Sequence, residues 1–107
     1  MTVQLRVPAG DVPEGEARRY PVDGQHIAVV NLGDKGFRAV DAICSHAHYF
    51  LDEGEVDVEE SSIECWKHES TFDLDTGRPR TLPATQPVAT HAVTHDGDDI
   101  VIEVTTT

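Results

Sequence analysis

The chain has 107 residues, 38% of them hydrophobic, and its twenty acidic against eight basic residues give a formal net charge of −12. That length fits one compact domain of radius of gyration about 13 Å, with a limited core and no room for a large substrate site besides. The charge argues against nucleic acid or an anionic membrane as partner; Met1-Thr2-Val3-Gln4-Leu5-Arg6 has no signal-peptide apolar region, and no stretch approaches about 18 apolar residues, so a cytoplasmic protein is expected.

The pattern along the chain is nearly all strand. Val3 to Val7 alternates apolar and polar residues, and Pro8, Gly10 and Pro13 mark a turn-rich connection. Glu14 to Ala17 predicts a short helical turn. Ala17 to Val22 and Gln25 to Leu32 read as a hairpin about Asp23-Gly24, and a turn at Gly33-Asp34-Lys35-Gly36 leads into a strand from Phe37 to Ile43. Residues 44–84 read as an insertion, with short strands at Ser62 to Glu64 and Thr71 to Asp73 and a turn at Asp75-Thr76-Gly77. Pro83 and Pro87 impose an extended return path. A last hairpin runs from Val88 to His95, turns at Asp96-Gly97-Asp98 and returns through Ile100 to Val104, leaving residues 105–107 as a frayed tail. The expectation is a single all-β domain over residues 1–107: an antiparallel β-sandwich base of residues 1–43 and 85–107, with an inserted subdomain of residues 44–84.

Chemistry concentrates in that insertion. Cys44 and His46 form a Cys-x-His pair, Cys65 and His68 a Cys-x-x-His pair, and eighteen residues lie between His46 and Cys65. These are the only two cysteines. Two loops that each offer one thiolate and one imidazole suit a binuclear centre, two thiolates on one iron and two imidazoles on the other, as in a [2Fe–2S] cluster of the Rieske type. Two Cys and two His also make a tetrahedral zinc set, although zinc motifs usually group like ligands and here unlike ligands are grouped. A Cys44–Cys65 disulfide is the other alternative, and it leaves the neighbouring histidines unexplained.

The segments Cys44-Ser45-His46-Ala47-His48 and Cys65-Trp66-Lys67-His68-Glu69-Ser70-Thr71-Phe72-Asp73-Leu74-Asp75-Thr76-Gly77 resemble the two cluster loops of Rieske ferredoxins, the small electron-transfer components of bacterial ring-hydroxylating dioxygenases. Leu82-Pro83-Ala84-Thr85-Gln86-Pro87-Val88 resembles the proline-rich stretch that follows them. The resemblance implies the Rieske-like fold and one [2Fe–2S] cluster on Cys44, His46, Cys65 and His68. It also implies transient partners, a reductase and an oxygenase or another redox protein, for a monomeric one-electron carrier that is not catalytic alone. In its Cys-Ser-His and Glu-Cys-Trp-x-His wording the chain is also similar to members that accompany iron–sulfur cluster assembly, so a redox accessory of assembly stands as a second reading. A zinc-stabilised interaction module is the third.

Two positions depart from the family pattern. Glu69 stands where glycine is usual, adding a Cβ and a charge beside a ligand, and His48 stands at another common glycine position, where it reads as a loop residue. Two ferric irons, two sulfides, two thiolates and two neutral imidazoles sum to zero, so an electron is accepted more readily than by a four-cysteine cluster. The resemblance gives Ser70 as a hydrogen-bond donor to a cluster sulfur, while Phe72 replaces a tyrosine and no spare cysteines remain for a loop-bridging disulfide. A low-to-intermediate potential follows, falling at alkaline pH as the ligand imidazoles deprotonate. Four of the six aromatics, Tyr49, Phe50, Trp66 and Phe72, lie in or beside the loops and screen the site. Acidic runs at Asp52 to Glu55 and Asp57 to Glu60 form a candidate docking face. His26, His91 and His95 read as strand-face residues, and no serine, histidine and acid arrangement suggests catalysis.

Overall fold

Strands β1 (Thr2–Pro8), β2 (Ala17–Val22), β3 (Gln25–Asn31) and β4 (Phe37–Asp41) precede β5 (Val56–Asp57), β6 (Ser62–Glu64) and β7 (Thr71–Asp73), and β8 (Thr90–Asp96) and β9 (Asp99–Thr105) follow them. The computed structural model describes residues 2–43, 50–65, 70–81 and 86–105. All pairings are antiparallel, in a six-stranded sheet of order β1-β9-β8-β4-β3-β2 and a three-stranded sheet of order β5-β6-β7. Among the described residues no helix is long and apolar enough to cross a membrane.

Two hairpins set the register of the large sheet. Val22 faces Gln25 across a two-residue turn in which Asp23 and Gly24 both have positive φ, 49° and 82°. That conformation matches the twist of the flanking strands and is open to Asp-Gly at little cost. The β8–β9 hairpin closes at Asp96 and Asp99, and β1 then adds to β9 from Thr2↔Thr105 to Pro8↔Asp99. The two halves of the sheet pair along a short seam, Ala39↔His91 and Val40↔Thr90, extended by Asp41 N–H donating to Ala89 O. Such a narrow seam lets the sheet curl until Val7, Ile100 and Ile102 from one half pack with Ile27, Val29 and Ala39 from the other in one core.

β3 is buried on both faces. Ile27 and Val29 point into the base core, whereas Ala28 and Val30 join Val40, Ala42, Leu51, Ile63, Cys65, Phe72, Leu74 and Val88 in a second core against the small sheet. This explains why Ile27-Ala28-Val29-Val30 is an unbroken apolar run: a strand between two layers has no water-facing side. β3 is therefore the wall shared by the base and the site.

Most expected strands are present with ends shifted by a residue or two, and Thr105 belongs to β9 rather than to a frayed tail. The expected helical turn at Glu14 to Ala17 is a plain turn. Glu16 N–H donates to Pro13 O, Gly15 N–H to Asn31 O and Asn31 N–H to Glu16 O, so the end of β3 takes the backbone groups that a helix would need. The one-turn 3₁₀ segment of this connection lies earlier, at Ala9–Asp11. The acidic stretch read as a surface run overlaps β5 and a third 3₁₀ turn, Leu51–Glu53, that follows those at Ala9–Asp11 and Gly33–Lys35.

Candidate metal centre

Two chain crossings in the second core have the same construction. Ile43 and Phe50 form an antiparallel bridge, and Leu51 N–H donates to Ala42 O at 2.6 Å, closing the neck of the loop that spans residues 44–49. Glu64 pairs with Thr71, and Cys65 N–H donates to Ser70 O at 2.7 Å, closing the loop that spans residues 66–69. In sequence each cysteine is the first residue beyond a bridge. The pairing runs up to Ile43 and Glu64, the residues that precede the two cysteines in sequence.

Cys65 is a free thiol, fully buried, in the core that also contains Ala42, Leu51, Ile63, Phe72 and Val88, with Phe50 packed against it. The necks of both loops thus share one apolar core. Cys44, His46 and His68 lie outside the described residues, as do His48, Tyr49, Trp66 and Glu69, and among the described residues no group of three ligand side chains assembles. What is described fits the cluster. A buried thiol that is not in a disulfide, in a core shared by two loop necks of like build, is the donor chemistry that a thiolate-and-imidazole site requires.

The surrounding residues stiffen this arrangement. Ser70 and Phe72 are both fully buried, so Phe72 fills core space at the position where the resemblance places a tyrosine. After β7 the chain folds back on itself: Phe72 bridges Pro79, Arg80 N–H donates to Thr71 O, and Thr71 N–H donates to Thr81 Oγ1. Gly77 N–H donates to Asp73 O and Gly77 O accepts from Val88 N–H, at a φ of +77°, and a Cβ on Gly77 would lie 2.0 Å from Val88 O. Only glycine fits that crossing.

Two carboxylates near the site are held in opposite ways. Asp73 accepts from Arg80 Nη2 at 2.7 Å and from the N–H groups of Asp75 and Thr76; the Arg80 bond first, with the backbone donors, holds its carboxyl below the usual range. Asp52 is pushed up by burial, which the Arg19 guanidinium at 3.8 Å offsets only in part. Glu55, Asp57 and Glu59 are exposed and, with Glu64, line a groove of about 420 Å³ on the small sheet. The outer part of the acidic stretch is therefore solvent-facing, while Asp52 turns inward.

His91 and His26 are not bland strand-face residues. The His91 side chain is 1% exposed and its Nε2 lies 2.8 Å from Asp41 Oδ1, tying the strand that enters the insertion to the strand that leaves it. His26 stacks edge-on against Phe50. His95 packs its ring on Phe37. Sequence reading missed these pairs, and it missed Lys35, whose ammonium reaches from the base to Val58 O, Glu59 O and Ser61 Oγ. Their partners stand 23 to 58 positions away, so no local pattern could signal them.

Comparison with known proteins agrees with this geometry. The Rieske [2Fe–2S] domain model matches residues 2–92. The 3-phenylpropionate/cinnamic acid dioxygenase ferredoxin subunit of Escherichia coli (strain K12) is 39% identical over 97 residues, 91% of this chain and 89% of that protein. The ferredoxin of carbazole 1,9a-dioxygenase from Nocardioides aromaticivorans IC177 superposes with a TM-score of 0.89 at 33% identity, covering 95% of this chain and 98% of that one. A structure of reduced oxygenase in complex with oxidised ferredoxin, from carbazole 1,9a-dioxygenase, matches at a TM-score of 0.84 and 31% identity over 94% of this chain and 92% of that one. The paired loop necks, the buried thiol and these likenesses converge: the chain belongs to the Rieske [2Fe–2S] domain family, as a small ferredoxin-type member that holds a [2Fe–2S] cluster.

Proposed function

We propose that Cys44, His46, Cys65 and His68 hold the cluster, the two thiolates on one iron and the two imidazoles on the other, and that the protein carries single electrons from a reductase to a terminal oxygenase. The observation that carries this reading is the matched pair of loop necks packed about the buried Cys65 thiol. Each neck belongs to the same core, and in sequence each leads directly into one Cys-and-His pair. When bound, the cluster supplies a one-electron couple that is formally neutral when oxidised.

The chain's own residues do the rest. Two bridged necks hold the ligand loops in nearly fixed geometry, which keeps the structural change on electron transfer small. The fully buried Ser70 is placed to tune the potential upward, and Phe72, Leu51 and Ile63 keep water from the inner side of the site. Residues 44–84 act as the cluster-binding unit and residues 1–43 and 85–107 as its base. The exposed Glu55, Asp57, Glu59 and Glu60 suit transient docking on basic patches of redox partners, as expected for a cytoplasmic monomer of charge −12.

The test is low-temperature electron paramagnetic resonance of the anaerobically purified, dithionite-reduced protein with iron, sulfide and zinc analysis. A rhombic signal of average g below 2, with about two irons per chain, is the expected result. A silent spectrum with one zinc per chain overturns it.

A further inference from the structure

Phe50 pairs with Ile43 at the first loop's neck, and two side chains outside that loop hold its ring. The Arg19 guanidinium, on edge strand β2, lies over the Phe50 ring with Cζ 3.6 Å from the centroid. The His26 ring, on β3, meets the same phenyl edge-on, with centroids 5.4 Å apart and planes at 74°. Asp52, two residues beyond Phe50, holds Arg19 from the far side at 3.8 Å. The backbone continues the chain of contacts: His26 O accepts from Ala42 N–H, Ala42 O accepts from Leu51 N–H, and Ile43 bridges Phe50.

The side-chain part of this grip has few directional bonds. Among the described residues His26 Nδ1 and Asp52 Oδ1 are buried with no hydrogen-bond partner. The attraction between the Arg19 cation and the ring face is the contact that β2 makes with the ring. Removing the guanidinium frees the phenyl face and leaves the Asp52 carboxylate buried without a counter-charge. Both consequences fall on the neck of the loop that carries Cys44 and His46.

We propose that Arg19 is a positioning residue for electron transfer: from the base it clamps Phe50 and thereby holds the Ile43–Phe50 neck from which the first ligand loop springs. The inference rests on the assignment of Cys44 and His46 as ligands. Arg19 itself need not touch the cluster, because it acts through the ring and the Ile43–Phe50 bridge. Its guanidinium also balances Asp52 locally, so its charge and its clamp are separate contributions that variants can divide.

The experiment is a double-variant cycle on the holoprotein with Arg19→Met and Phe50→Leu, reading the rate of iron release to a chelator, the reduced-state paramagnetic resonance spectrum and hydrogen exchange of the peptide over residues 42–51. Each single variant is expected to speed iron release about tenfold, the double variant no further than either single, and Arg19→Met to shift and broaden the rhombic signal. Arg19→Lys should restore most of the wild-type rate. In Arg19→Met/Asp52→Asn, where the local charge is again balanced, exchange of residues 42–51 should stay fast. Multiplicative effects of the two singles, a wild-type rate and spectrum in Arg19→Met, or slow exchange restored by Asp52→Asn overturns the clamp. If Arg19→Met does not fold, Arg19→Gln, which also removes the charge, replaces it in the same cycle with Phe50→Leu. A wild-type protein without the rhombic signal refutes the ligand assignment instead, and the exchange comparison still decides the clamp.

Discussion

The base and the small sheet are built from the same kind of strand but held by different forces. Base strands run five to seven residues, pair in full register through tight turns and close over a core of Val, Ile and Ala. The strands of the small sheet are two or three residues long and could not stand alone. They borrow the second face of β3, the Lys35 ammonium on Val58, Glu59 and Ser61, the Arg80 guanidinium on Glu60 O and Asp73, and the close crossing of Gly77 over Val88. The comparison teaches that a site needing exact ligand positions can sit on very little secondary structure of its own, provided a rigid layer supplies the contacts.

The sharpest way to break that dependence is Gly77→Ala. A Cβ 2.0 Å from Val88 O at a φ of +77° forces the two backbones apart, and a loss on the order of 3 kcal/mol or more is expected in urea unfolding. Gly97→Ala, at φ +63° in the β8–β9 turn with nothing near its Cβ, should cost only the φ strain, about 1 kcal/mol. Equal losses would refute the idea that the close crossing matters more than the turn.

Metal removal separates the regions next. Stripping iron with a chelator should raise hydrogen exchange across residues 56–74 by roughly tenfold or more while β8 and β9 keep their protection, because ligation stabilises the loops and not the base. Uniform deprotection would show a single cooperative unit. Lys35→Met should then cost about 1–2 kcal/mol, since three oxygens lose a charged donor, with faster exchange confined to residues 56–64.

The smallest effects concern pH. Asp73 is held low by Arg80 and two backbone donors, so its contribution is present above the unfolded carboxyl value near 4 and is lost as pH falls through its lower folded value. Asp52 is raised by burial, so the opposite sign applies: its penalty sets in as pH rises from the unfolded value through the folded one. Asp73→Asn should lower the melting temperature at pH 7 and flatten its acid limb. Asp52→Asn should leave the melting temperature at pH 7 unchanged or raise it by a degree or two. Thermal melts from pH 3 to 7 check both signs.

Much of the fold was legible because it is local. Alternation in Val3 to Val7, Asp23-Gly24 between two apolar runs, and Asp96 to Asp98 before Ile100 each specify a strand or turn from neighbouring residues alone. The Glu14 to Ala17 turn was misread because its backbone bonds go to Asn31, a partner that the local sequence does not reveal. At the site, the two Cys-and-His pairs announced their chemistry by spacing, whereas Arg19 on Phe50, His91 on Asp41 and Lys35 on Val58 announced nothing.

The sequence by itself determined the all-β character, the two-residue hairpin turn and the grouping of the proposed ligands into Cys-and-His pairs, because period-two patterning, Asp-Gly turn chemistry and ligand spacing act over a few residues. Only the tertiary structure decided that β3 serves two cores, that Asp52 faces inward among acids that face outward, and that Arg19 and His26 of the base meet on Phe50. Those outcomes depend on which distant side chains share a volume and on how much water is excluded from it, and both are set by the curl of the sheet rather than by any stretch of the chain.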